Sequence, residues 1–160
     1  MNNILLYTDT PFTGGAEKHI HLLAKNLVKD GYKVRVVCSN YKRLDAWCAE
    51  MKQDGIETLR VKVSHKHDPR HYFQMKKILE QHKPELLHLH LWNPGACRYA
   101  FWAGAQKNTK IITTEHDPFP LQGLKKSSNK TPLAIQCIPL PFLKPTITKF
   151  YAGIRNLKIV

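Results

Sequence analysis

The chain predicts an α/β domain, a mostly parallel sheet with helices on both faces. Three observations carry this. Short apolar runs alternate with longer segments of helical periodicity. The opening run, Ile4-Leu5-Leu6-Tyr7, is apolar without a break, as in a strand covered on both faces. Asp30-Gly31, Asp54-Gly55 and Pro84 stand where helices should stop. A β-α-β-α rhythm of this kind implies parallel pairing through crossover helices, with ligands bound at the carboxyl ends of the strands.

The predicted elements follow in order. A first strand covers Asn3–Thr8. Ile20, Leu23, Ala24, Leu27 and Val28 fall on one side of a helix over Ala16–Lys29, which Gly31 terminates. Lys33–Cys38 reads as a second strand, Leu44–Gln53 as a second helix and Ile56–Val63 as a third strand. Arg70–His82 carries Phe73, Lys77, Ile78 and Leu79 in helical register, and Glu85–Leu91 reads as a fourth strand. Pro94–Gln106 is rich in Ala and Gly, suiting a helix packed close to the sheet, and Lys110–Thr114 is a fifth strand. Beyond Glu115 six prolines interrupt the pattern; Leu133–Ile138, Lys144–Tyr151 and Leu157–Val160 read as a strand, a helix and a strand.

At 160 residues the chain is expected to be one domain, spanning 1–160, with a single core. The hydrophobic share of 42% is that of a globular protein, and no apolar run approaches the roughly 20 residues of a spanning helix. Nor does a basic flank precede an apolar segment at the N-terminus, as a secretory signal requires. Cys38, Cys48, Cys97 and Cys137 are widely spaced with no C-x-x-C pair, which argues against a zinc knuckle or redox pair and suits a reduced, cytoplasmic setting. The formal charge of +13, with pI near 9.7, points to an anionic partner: a membrane surface, a phosphorylated substrate or nucleic acid. Between Pro118 and Val160 there are seven Lys or Arg and no Asp or Glu, so that stretch is either a membrane-facing patch or one whose acidic partner lies elsewhere. Lys66, Arg70, Lys76 and Lys77 make the third helix basic, a solvated face or a lipid-headgroup contact. No nucleic-acid-binding motif appears, and the aromatics are not interleaved with the basic residues.

Three clusters stand where strands end. Thr13-Gly14-Gly15-Ala16-Glu17 is a strand-to-helix turn whose glycines admit close approach and whose helix start favours an anion. It is neither the G-x-G-x-x-G fingerprint nor a P-loop. It is a tight turn or a phosphate or sugar site, and Glu17 is a first-turn carboxylate or a contact to a sugar hydroxyl. His88-Leu89-His90-Leu91-Trp92-Asn93 puts two imidazoles on one face of a strand, and no third metal ligand stands at a recognisable spacing; it is a strand end with satisfied polar side chains or, from its place at the strand's carboxyl end, a binding site made chiefly by His90, Trp92 and Asn93. Glu115-His116-Asp117 follows a buried strand and can hold hydroxyls or do acid–base work, with an Asp-Pro turn as the plainer role for Asp117. His19, His21, His65, His67, His71 and His82 are expected to be solvated.

In this order, these clusters resemble the amino-terminal domain of the family 4 retaining glycosyltransferases of the GT-B fold. Gly14-Gly15-Ala16-Glu17 resembles their first-loop motif, Pro84-Glu85-Leu86-Leu87-His88-Leu89-His90 their P-D-hydrophobic-hydrophobic-H-x-H strand, and Thr113-Thr114-Glu115-His116-Asp117 their T-x-H-D strand end. Ile147 to Ile154 resembles the stretch around their Y-G-I, here with Ala152 inserted, and Ala134–Pro139 stands where the family has a strand ending V-S.

The resemblance implies a Rossmann-like domain forming half of a GT-B fold. It would hold the acceptor, a polysaccharide or lipid-linked glycan of the cell envelope. A second domain would grip the sugar nucleotide. Transfer would retain configuration and need no metal or other cofactor. It places Gly14 and Gly15 against the donor diphosphate, His116 beside the transferred sugar as the catalytic residue, and Glu17 near the acceptor. The sequence ends at Val160, before the stretch where the family has its donor domain, so a truncated copy, inactive alone, is expected. The location implied is cytoplasmic, at the inner face of the plasma membrane where it contacts lipid. The alternative is a non-catalytic binding domain that pairs with a separate donor-binding subunit.

Overall fold

The computed structural model describes residues 3–63, 68–93 and 95–116. They belong to the first of two compact units, Met1–Leu121. The second unit, Gln122–Val160, lies outside the described residues, and with it Cys137 and the elements expected beyond Glu115. In chain order the elements are β1 (Asn3–Tyr7), α1 (Gly15–Lys29), β2 (Lys33–Ser39), α2 (Asp45–Gln53, after a 3-10 turn at Lys42–Leu44), β3 (Glu57–Val61), α3 (Arg70–His82), β4 (Leu86–Leu91), α4 (Arg98–Gln106) and β5 (Lys110–Glu115).

The described strands pair in parallel throughout, in the order β3-β2-β1-β4-β5. The chain builds outward from β1 on one side, then crosses over and builds outward on the other. Between β1 and β4 the order reverses, and the helices that follow these strands lie on opposite faces, the place where open parallel sheets bind ligands at their carboxyl ends.

Register decides what each face carries. Leu6 lies opposite both Val36 and His88, so Ile4, Leu6, Val34, Val36, Cys38, His88 and His90 share one face. The apolar members of that face bury against α1 and α2 in a cluster with Ile20, Ala24, Trp47, Cys48 and Met51. All five residues of the predicted α1 stripe pack into this cluster or against it. Gly31 closes α1 with φ 84° and Gly55 closes α2 with φ 76°, left-handed positions where glycine avoids the Cβ clash.

The opposite face carries Leu5, Tyr7, Leu87 and Leu89 and packs on α3 and α4. The register of α3 differs from expectation. Its buried positions are His71, Met75 and Leu79, whereas Phe73 is exposed. His71 counts as polar in a periodicity reading, which hides the true stripe. Far from being solvated, it is 2% exposed and its Nε2 shares a hydrogen bond with the Tyr7 hydroxyl, and burial holds its pKa below the usual value. Nor is His21 free, since its Nε2 lies 2.8 Å from Asp54 Oδ2. The basic face of α3 is likewise smaller than its composition suggests, because Arg70 pairs with Asp68 at 2.9 Å.

Helix α4 starts at Arg98 rather than Pro94. Asn93 Oδ1 accepts the Gly95 N–H at 2.8 Å and its carbonyl accepts the Ala96 N–H at 3.0 Å, which winds a turn instead of a helix. Cys97 then adopts φ 60°, so helical geometry begins only after it. The small residues of α4 do bring it close to the sheet. A Cβ on Gly104 would lie 2.8 Å from Leu87 Cδ2 and 3.0 Å from Ile111 Cδ1.

That spacing makes a prediction. Gly104→Ala recovers about 1 kcal/mol of helix propensity against its clash, whereas Gly104→Val overpacks the interface by about 1–3 kcal/mol. Urea unfolding of Gly104→Val should show a lower midpoint with unchanged slope. A wild-type midpoint would mean that the missing side chain does not set the helix–sheet distance.

Candidate active site

The carboxyl ends of β1, β4 and β5 lie side by side in the sheet, and one carboxylate joins the loops that leave the first two. Asp9, two residues beyond β1, accepts the Trp92 indole N–H at Oδ1 and the Cys97 backbone N–H at Oδ2, both at 2.8 Å. It thereby ties the β1 loop to the β4 loop across the point where strand order reverses. The Trp92 ring in turn meets the exposed Phe12 edge to face, with centroids 6.3 Å apart. The buried Cys97 thiol donates to the His90 carbonyl at 3.3 Å, and burial pushes its pKa up.

The Gly-Gly turn opens α1. Gly14 is extended (φ −150°) and neither glycine is left-handed, so the backbone itself does not demand glycine here. Nor does packing, since a Cβ on Gly14 would meet only Glu17 Oε2 at 3.6 Å and one on Gly15 nothing within 4 Å, so the space before the turn is open. Among the described residues no acceptor takes the N–H groups of Gly15 and Ala16, which leaves the positive end of the helix open. Glu17 lies beneath this turn rather than at its mouth. It is 2% exposed, and its Oε2 accepts the Gly14 N–H at 2.8 Å, as a capping carboxylate does. Burial raises its pKa, opposed by hydrogen bonds from the Glu17 and Gly14 backbone and from Thr8.

Four imidazoles gather beside the turn. His88 and His90 project from the same face of β4 and stack, with centroids 4.1 Å apart. His116 extends the β5 ladder by one bond, its N–H donating to the Leu91 carbonyl at 3.0 Å. His90 Nδ1 and His116 Nε2 share a hydrogen bond of 3.0 Å, and His88 Nε2 shares one of 2.8 Å with Thr114 Oγ1. From α1, the His19 ring stands edge-on to His116 at 5.2 Å and tilts against His90 at 5.9 Å. Burial is the main cause that lowers the pKa of His88 to about 4 and of His90 to about 2, and neighbouring imidazoles add to it. His116 is lowered too, by burial and by His19. These three rings are therefore neutral near pH 7. Among the described residues no group of three or more His, Cys, Asp or Glu is arranged to hold a metal ion.

Of the residues expected at a site, Gly14, Gly15, His90, Trp92, Glu115 and His116 all lie at this edge of the sheet, with Glu17 just beneath. Two have their polar atoms engaged locally: Asn93 holds its own turn, and the Trp92 N–H belongs to Asp9. Glu115 is exposed, and Asp117 lies outside the described residues. Two contributors were missed. Asp9 stands at a strand end, where the parallel-sheet rule directs attention. His19 lies four residues into α1 from Gly15, on the turn that faces the sheet's carboxyl edge.

The buried histidines set a pH dependence. Unfolded, each titrates near 6.5; folded, His88 and His90 resist protonation, so their contribution is complete above about pH 6.5 and is lost as pH falls toward the folded values. Between pH 7 and pH 5 each should cost the fold about 2 kcal/mol. Urea midpoints at pH 7, 6 and 5 should fall in that order, and His90→Phe should flatten the trend. Midpoints independent of pH would contradict the burial of these rings.

Comparisons with known proteins bear on the family and the fold. A family model described as Glycosyltransferase Family 4 matches residues 13–149, from the Gly-Gly turn to beyond β5. No curated protein sequence matches the chain. The crystal structure of a glycosyltransferase from Rickettsia africae ESF-5 superposes with a TM-score of 0.60 at 17% identity, over 76% of this chain and 31% of that one. CalG4, the calicheamicin glycosyltransferase, gives 0.48 at 13% identity, over 74% and 34%. The chain thus spans about a third of the length of these solved chains. At 17% identity the likeness to the Rickettsia africae structure speaks for the fold alone, the α/β Rossmann-like layer arrangement of GT-B glycosyltransferases. The family model covers most of the 160 residues, and on that ground the chain belongs to Glycosyltransferase Family 4.

Proposed function

We propose that this domain forms the acceptor-side wall of a two-domain glycosyltransferase cleft, facing a second Rossmann-like domain that grips a sugar nucleotide. One observation carries the reading: His19 of α1 touches His116 of the β5 end, with centroids 5.2 Å apart. A diphosphate held at the start of α1 and a sugar held against His116 are then neighbours, as the two ends of one sugar nucleotide must be. The N–H groups of Gly15 and Ala16 meet the donor diphosphate in the open space before the turn. His116 contacts the transferred hexose, flanked by Glu115 and Asp117, while Phe12 and Trp92 offer an apolar face to a sugar ring. Glu17 acts near the acceptor chiefly by holding the turn.

Transfer retains configuration and uses no metal. The acceptor is a polysaccharide or lipid-linked glycan of the cell envelope, and the charge of +13 suits work at an anionic cytoplasmic membrane face. Among the described residues no helix is long and apolar enough to cross a membrane. Without the donor-side domain most transition-state contacts are missing, and this domain alone does not turn over.

His116→Ala tests the site in the enzyme that unites this domain with its donor-binding domain. Turnover should fall by about 10²–10³-fold, the cost of one hydrogen bond made in the transition state, while the circular dichroism of the folded protein stays as in wild type. Undiminished turnover would remove His116 from the reaction.

A further inference from the structure

We propose that His90 is a positioning residue that sets the tautomer of His116, so that His116 presents a protonated Nδ1, a hydrogen-bond donor, at the carboxyl edge of the sheet. The functional meaning rests on His116 facing the transferred sugar. The tautomer itself rests only on geometry.

The two rings meet nitrogen to nitrogen, His90 Nδ1 to His116 Nε2, at 3.0 Å. Only one proton fits between neutral rings at that distance. Their centroids lie 5.3 Å apart, about the 3.0 Å contact plus one ring radius at each end, and their planes within 24° of each other, so the nitrogens meet end to end and the contact suits either donor. The remaining nitrogens decide between them.

His90 is 1% exposed, and among the described residues its Nε2 has no hydrogen-bond partner. A proton on Nε2 would be a buried N–H without an acceptor, which folded proteins almost never tolerate. A bare lone pair there is the lesser loss. The proton of His90 therefore sits on Nδ1 and points at His116. A second proton on His90 is opposed by burial and by His88, His116 and His19 around it.

It follows that His116 Nε2 is the acceptor and that its own proton is on Nδ1. An imidazole free in water prefers the other tautomer, so the protein reverses the ordinary choice. His88 stacks on His90 and is anchored by Thr114, while His19 stands edge-on to His116, so both ring planes are held. Half-buried His116 has no Nδ1 partner among the described residues, which leaves that N–H for a ligand. A ring in this state donates to an oxygen lone pair. It cannot take a proton at Nδ1, and its Nε2 lone pair is already occupied. The ligand atom it recognises is an acceptor oxygen of a hydroxyl, carbonyl or phosphate group, and general-base roles at this position are excluded.

The test is a long-range 1H–15N correlation spectrum of the imidazoles at pH 7, recorded on the full chain with ¹⁵N-labelled histidine and assigned with single His→Gln variants. In wild type, Nδ1 of both His90 and His116 should carry the pyrrole-type shift of a protonated nitrogen and both Nε2 atoms the pyridine-type shift. In His90→Phe, which keeps a ring but loses the donor, His116 should revert to a protonated Nε2. A wild-type His116 protonated at Nε2 would overturn the proposal, as would a His116 that keeps its Nδ1 proton in His90→Phe. The wild-type spectrum decides even if the variant does not fold. No donor sugar is needed, so undiminished turnover of His116→Ala would remove the catalytic reading and leave the tautomer, whereas an Nε2 proton on His116 would remove the tautomer and leave the site.

Discussion

The site depends on a single carboxylate placed where the sheet changes direction. Parallel sheets built outward both ways from β1 and β4 open a crevice at that point because the two following loops diverge. Divergent loops have no reason to hold a fixed distance. Asp9 supplies one by accepting two N–H groups from the β4 loop, the Trp92 indole and the Cys97 backbone, each at 2.8 Å. A charged acceptor strengthens both bonds. It also explains why α4 begins late, since the Cys97 N–H is drawn to Asp9 before the helix can start.

Around this bridge the molecule places groups that a stability argument alone would not choose. Two histidines lie buried and neutral on the sheet face beside α1, and Glu17 is buried beneath the glycine turn with one carboxylate oxygen unpartnered among the described residues. Buried polar groups cost stability unless satisfied. These three gather at the carboxyl edge, beside a cluster under α1 and α2 whose own members are apolar.

Much of the fold was legible. The α1 stripe, both glycine stops and five strand runs could be read because apolar residues repeat at the period each element requires. The α3 stripe could not, because a buried histidine holds one of its turns. The start of α4 could not either, because it is set by Asp9, 88 residues away in sequence. The site was legible as three clusters but not as one. His19, His90 and His116 are brought together by the β4–β5 register, His90 opposite Thr114, and by the way α1 lies on the sheet. No local spacing encodes either. Asp9 was passed over for the same reason, since a lone aspartate after a strand looks like loop until its partners are known.

Hydrogen exchange followed by NMR tests the Asp9 bridge most directly. In wild type the Cys97 amide and the Trp92 indole N–H should both exchange slowly, and in Asp9→Ala both should accelerate together while the amides of the β1–β4 ladder keep their protection. Fast exchange of both groups in wild type, or slow exchange that survives the loss of Asp9, would show that the two loops are held by something other than this carboxylate.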